Sequence, residues 1–140
     1  MRSVGIFGRN HVRATDLSRT MSKRKRAAVK LEDYAYSCVR RRFPAYLGWS
    51  MEQERTLKDN SRADYCLWRV KYGKKERAVV EVKNVKYLTK GHIDQLDHYA
   101  RKYHASQRLI CIPSKTWVDS LVREYADDLA IEIVRLRYPS

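Results

Sequence analysis

Cysteine is scarce in this chain, and its distribution excludes two ways of holding a small fold together. Cys38, Cys66 and Cys111 lie far apart, and no CxxC pair exists, which disfavours a zinc knuckle. Their odd number and apolar or aromatic settings (YSCV, DYCLW, LICIP) argue against a disulfide framework and for buried free thiols. Long hydrophobic runs are missing too: none approaches the roughly 20 residues a transmembrane helix needs. The opening MRSVGIFGRNHVRATDLSRT lacks the apolar stretch of a secretion signal, so the chain reads as intracellular. His11, His92, His98 and His104 form no i,i+4 metal-ligand pair, and His98 and His104 read as surface residues or phosphate contacts. Acidic residues are also short, with 16 Asp+Glu against 30 Lys+Arg for a formal net charge of +14.

That charge concentrates polyanions near the surface. Nucleic acid is the leading expected partner, DNA ahead of RNA, and an acidic membrane comes second. The membrane reading is disfavoured because the basic residues are spread along the chain rather than gathered on one amphipathic helix. With 140 residues, 44% hydrophobic and 11% aromatic, the chain suits one folded domain. Residues 1–24 are expected to form a basic N-terminal arm, and 25–140 the domain. Lys23, Arg24, Lys25 and Arg26 form a basic run that suits a solvated helix start, a nuclear-import patch or a phosphate-gripping arm.

Apolar spacing predicts a helix from about Ala27 to Arg42, ended by Phe43-Pro44. Strands are expected over Tyr46 to Met51, Arg62 to Tyr72 and Arg77 to Lys86, the last two joined through Gly73-Lys74-Lys75 as a hairpin. After Gly91, Ile93, Leu96, Ala100 and Tyr103 mark a helix from His92. RLICIP (108–113) has the length of a buried strand. Ser114 or Thr116 is expected to cap a helix through Trp117, Leu121, Val122 and Tyr125, before a last strand over 129–136. Tyr34, Tyr65, Trp68, Trp117 and Tyr125 fall on apolar stripes and are assigned to the core, and Tyr99 and Tyr103 favour core packing over base stacking. The order αβββαβαβ implies an α/β fold with a central mixed sheet flanked by helices.

The stretch VVEVKNVK (79–86) carries the chemistry. Period-two alternation puts Glu81 and Lys83 on one strand face, either the wet side of an edge strand or half of an active site. Asp64 lies on the hairpin partner, and antiparallel neighbours on one face approach within about 5 Å. Two carboxylates and the main-chain carbonyl of Val82 suit a hard divalent ion, Mg²⁺ or its substitute Mn²⁺. Lys83 beside them suits orienting a water or stabilising a crowded phosphate. Lys86 and Lys90, flanking the following loop, suit backbone phosphate contacts.

Asp64 followed by Glu81-Val82-Lys83 resembles the PD-(D/E)XK nuclease superfamily, although Ala63 stands where that motif usually has proline. Glu81 to Thr116, EVKNVKYLTKGHIDQLDHYARKYHASQRLICIPSKT, is similar to the restriction-endonuclease-fold domains of bacterial polymorphic toxins. The resemblance covers roughly Lys25 to Leu136. It implies a restriction-endonuclease-like domain that hydrolyses phosphodiester bonds in DNA or RNA with Mg²⁺, as an endonuclease. It makes Glu32 the helix-borne acid, with Asp33 competing, and Gln95 a residue facing the catalytic centre. An immunity protein is the expected partner if the chain is a toxin, and pairing into a homodimer is left open. The competing expectation is a basic nucleic-acid-binding module that does not cut.

Overall fold

The computed structural model describes residues 23–56 and 62–137, with side chains from Leu31 onward apart from Thr56 and Arg62. His11 and the side chains of Lys23, Arg24, Lys25 and Arg26 lie outside that part. Helix α1 (Lys23–Arg42) buries Leu31, Ala35 and Val39, one residue per turn along a single stripe. Arg40, Arg41 and Arg42 sit in its last turn, where cations suit the helix dipole. The chain then leaves through Phe43-Pro44 into a 3₁₀ turn (Ala45–Leu47) closed by Gly48 at φ 92°. Trp49 turns inward, edge-on to Phe43 at 4.9 Å, with the Arg69 guanidinium 4.6 Å above its ring.

Five strands form the main sheet in the order β1-β2-β3-β5-β7. β1 (Ser50–Thr56), β2 (Arg62–Lys71) and β3 (Lys74–Val82) are antiparallel, whereas β5 (Gln107–Pro113) and β7 (Ile131–Leu136) run parallel to β3. Helix α2 (Lys90–Tyr103) carries the chain from β3 to β5, and α3 (Ser120–Asp128) carries it to β7. Alternation splits the core in two. Leu67, Ala78, Val80, Leu109 and Cys111 pack with α1; Cys66, Val79, Ile110 and Ile112 pack with the apolar faces of α2 and α3. The result is the expected single α/β domain: among the described residues, a mixed sheet flanked by three helices. Among the described residues, no helix is long and apolar enough to cross a membrane.

The differences from expectation have local causes. The weak strand expected over Tyr46 to Met51 begins only at Ser50, and Tyr46 is 87% exposed on the turn before it. Its sequence, SMEQERT, lacks alternation because an edge strand with one open side tolerates charge throughout. Two short strands were not anticipated: β4 (Tyr87–Leu88) and β6 (Trp117–Val118) pair in parallel outside the main sheet. Two residues are too few to show a period. Thr89 caps α2 through a capping box with His92, which starts the helix ahead of Gly91. Neither Ser114 nor Thr116 caps α3. Asp119 does, accepting from the Leu121 N–H at 2.9 Å, while the Thr116 hydroxyl donates to the Val85 carbonyl at 2.6 Å. Two residues expected in the core are exposed: Tyr34 at 41% and Trp117 at 64%.

Tyr65, Tyr99 and Tyr103 are buried as expected, and Trp68 and Tyr125 pack partly against the core. All three cysteines are free, with Cys66 and Cys111 buried and Cys38 half-buried. A hydrogen bond to Cys111 holds the Cys38 thiol down at about 6, aided by Arg41 and Arg42, whereas burial pushes Cys66 up to about 11.

The β2–β3 hairpin turns on Tyr72 (φ 53°) and Gly73 (φ 76°), between the paired Lys71 and Lys74. Positive φ at both centres is the two-residue turn that matches strand twist. Nothing lies within 4 Å of a methyl added at Gly73, so its substitution tests backbone strain alone. Gly73→Ala is expected to cost about 1 kcal/mol, and Leu67→Ala about 3 kcal/mol through a core cavity. Urea denaturation of the two variants checks both the values and their order.

Candidate active site

At one end of the sheet the strands fork. The β2–β3 ladder stops at Tyr65↔Val80, while β3 stays paired with β5 through Val82↔Cys111. The Lys83 N–H donates to the Cys111 carbonyl at 2.9 Å, so by alternation the Val82 N–H points toward β2, which has pulled away. Asp64 fills the gap: its Oδ2 accepts from the Val82 N–H at 2.7 Å. A side chain thus stands where a main-chain carbonyl would have been, and its carboxylate is pinned in the plane of the sheet. A strand residue directs its N–H and C=O to the same neighbour, so the Val82 carbonyl also faces the fork.

Register extends this constellation in both directions. Continuing the β2–β3 pairing sets Glu81 opposite Asp64. Gln53↔Tyr65 and Arg55↔Ala63 bracket Glu54 opposite Asp64 on the β1 side. Glu54 adopts φ 52°, a left-handed conformation that costs a non-glycine residue about 1 kcal/mol. Glutamates on β1 and β3 therefore flank Asp64 on β2 between them.

Glu81 is buried, 4% exposed, on the face that packs against α2. Burial pushes its carboxyl up to about 8, the hydrogen bond and charge of Asp64 reinforce the rise, and Lys83 opposes it. The Lys83 ammonium lies 3.5 Å from Glu81 Oε2. Burial and the charge of Lys83 hold His92 below the usual imidazole range. On the opposite face, a cavity of about 360 Å³ opens between α1 and the fork, with Glu32, Glu54, Asp64, Val82 and Asn84 in its walls. Glu32 is raised by burial, then by Asp64, Glu54 and Asp33. Glu81 and Lys83 are not among the cavity walls, so Asp64 is the group common to both sides.

The structure thus joins Asp64, Glu81 and Lys83, with Val82 between them. It sets Glu32 across the cavity from Asp64, and Asp33 is not in the cavity wall. Gln95 is exposed on α2, one turn beyond His92 on the same flank. Lys86 holds its ammonium 5.8 Å from the Tyr87 ring centroid, and Lys90 sits 4.7 Å from that of Tyr125. His98 and His104 are exposed, as expected. Among the described residues, no group of three or more His, Cys, Asp or Glu side chains is gathered closely enough to hold a metal ion. Glu54, Asn84 and His92 were missed from the sequence. Only the strand register brings Glu54 to Asp64, and no spacing rule links the three.

No family model matches the chain, and no curated protein does. Among solved structures, it is similar to one described as a protein of unknown function, AF1548. The TM-score is 0.51 and identity 15%, over 79% of this chain and 60% of that one, which supports a shared fold. A second similarity, to EndoMS in apo form, has a TM-score of 0.39 and 16% identity over 65% of this chain and 38% of that one, too slight to bear on activity. The chain spans about 60% of the length of the first.

Because the Glu81 carboxyl rises from 4.5 to about 8 on folding, the native state holds a proton that the unfolded chain releases across that window. Its stabilising contribution is complete below pH 4.5 and is lost as pH climbs toward 8. Urea unfolding in EDTA is expected to show wild-type stability falling from pH 5 to pH 8.5 and a flatter profile for Glu81→Gln. A rise over that range would mean that Asp64 and Glu81 share no proton.

Proposed function

We propose that the chain is a metal-dependent nuclease of the PD-(D/E)XK type, hydrolysing phosphodiester bonds in DNA or RNA as an endonuclease. One observation carries the reading: Asp64 and Glu81 are in contact at the sheet fork, with Lys83 at 3.5 Å from Glu81. The formal net charge of +14 supports a polyanionic substrate.

The donor set fits a hard divalent ion. Two crowded carboxylates, one displaced to about 8, are a pair that an added cation relieves. The Val82 carbonyl, facing the same gap, offers a third oxygen. A bound Mg²⁺ or Mn²⁺ would draw in a phosphate oxygen, neutralise developing charge and acidify a water.

The protein's own groups do the rest. The Val82 N–H fixes Asp64, so that carboxylate needs no reorganisation. Lys83, held by Glu81, donates to the attacking water or to a phosphate oxygen. Glu32 and Glu54 accept hydrogen bonds from water in the cavity, and the strained Glu54 backbone suits a site where position outweighs local stability. Gln95 assists from the α2 flank. Lys86, Lys90 and the basic run Lys23–Arg26 grip backbone phosphates without reading sequence. In this reading 25–140 is the nuclease unit, 1–24 a basic arm, and the setting intracellular. A homodimer, or an immunity protein for a toxin, would be a partner.

A second reading is a basic binding module on the same fold. It is favoured by the Asp64–Glu81 contact itself, since carboxyls that share a proton satisfy each other without a metal. A panel of supercoiled plasmid, linear duplex, four-way junction and total RNA separates the two. Cleavage is expected with Mg²⁺ or Mn²⁺ and should stop with EDTA. Lys83→Ala should slow it by about 100-fold or more while nucleic-acid affinity changes little. Cutting by Lys83→Ala at the wild-type rate would refute the assigned site, and salt-dependent binding without cleavage would select the module.

A further inference from the structure

Tyr87 and Trp117 are 56% and 64% exposed, and they are register partners in the parallel β4–β6 pair. Adjacent strands lie about 4.8 Å apart, so the two side chains rise from neighbouring points on one face. Leu88 and Val118, the other register pair, are 3% and 8% exposed and form the underside against the α2 and α3 core. The small sheet therefore has an apolar anchor below and two aromatic rings above.

Its backbone is firmly held. The Trp117 N–H donates to the Lys86 carbonyl at 2.9 Å, and the Thr116 hydroxyl to the Val85 carbonyl at 2.6 Å. The Arg135 guanidinium donates to the carbonyls of Thr116 at 2.7 Å and Ser114 at 3.1 Å. The ammonium of Lys86 lies 5.8 Å from the Tyr87 ring centroid. Asp119, the carboxylate nearest along the chain, is committed to capping α3.

We propose that Tyr87 and Trp117 form a stacking platform for unpaired bases of a single-stranded or splayed nucleic acid, with Lys86 on the adjoining phosphate. The proposal rests on the nucleic-acid reading above and deepens it by naming the substrate class. Aromatic rings accept the π-face of any base, so stacking on them needs no base sequence. The location agrees with that role. β3 and β5 are parallel, and the segments leaving their carboxyl ends build the platform. Asp64, near the start of antiparallel β2, lies at that same end. The stretch from Lys83 to Tyr87 spans at most about 14 Å. Stacked nucleotides advance about 3.4 Å each, so a base on the platform stands a few nucleotides from the phosphate beside Lys83.

A second copy of the chain is the competing occupant. Two rings offer far less than the roughly 800 Å² per partner of a stable interface, and each copy brings a formal charge of +14.

Fluorescence anisotropy in EDTA tests the platform with labelled oligothymidylate and a duplex of equal length. Tyr87→Ala and Trp117→Ala are each expected to weaken single-strand binding by about tenfold and duplex binding by less than about threefold, with Trp117→Phe retaining most of the affinity. The proposal falls if the alanine variants, with wild-type circular dichroism, bind the single strand as tightly as wild type. It falls equally if neither nucleic acid binds at low salt, or if Trp117→Ala only converts a dimer to monomer in sedimentation. Single-strand binding lost in these variants, from a protein that never cleaves with Mg²⁺, supports the platform and removes the nuclease reading alone. Cleavage with unchanged variant affinity does the reverse.

Discussion

The hydrogen bond from the Val82 N–H to the Asp64 carboxylate governs the end of the sheet where the charged groups meet. β3 keeps its ladder with β5 while losing the one with β2, and that asymmetry would leave a main-chain donor without its strand partner. Leaving such a group unpaired in the interior costs about 1–3 kcal/mol. Asp64 supplies the acceptor and is immobilised by doing so. Glu81, the next register position, must then lie against a fixed carboxylate in a dry setting, and burial with that neighbour raises its proton affinity. Lys83, the first residue after β3, supplies the local counter-charge.

The two cores divide the labour around this point. α1, anchored by Leu31, Ala35 and Val39, closes one face and leaves the acidic cavity between its Glu32 and the fork. α2 closes the other, and the charge of Lys83 reaches His92 at its first turn. Because β3, β5 and β7 are parallel, their carboxyl ends share one edge of the molecule, the usual place for ligands in open α/β sheets. The paired strands β4 and β6 arise there as the chain leaves β3 and β5.

Much of the frame was legible because it follows strong periods. Val79, Val80 and Val82 around Glu81 marked a strand covered on both faces, and Ile93, Leu96, Ala100 and Tyr103 marked a helix that buries one side. Gly73 marked the hairpin as a glycine in a polar turn between two strand patterns, and in the fold it takes a positive φ. Elements whose stability is borrowed left no such pattern. β1 is polar because it leans on β2 alone, and Trp117 looked like a core residue until its pairing with Tyr87 turned it outward. Asp119 outcompeted Ser114 and Thr116 as a cap because Thr116 was already bonded to Val85.

The sequence alone determined the charge excess, the spacing that sets Glu81 and Lys83 two residues apart at the end of β3, and the succession of the main helices and strands, because these depend on composition and near neighbours. Only the tertiary structure decided that Asp64 reaches the Val82 N–H, that Glu54 flanks it with a left-handed backbone, and that two aromatic rings stand side by side beyond the site. Those arrangements depend on strand register and on where a ladder ends, and register is set by packing between residues distant in the chain.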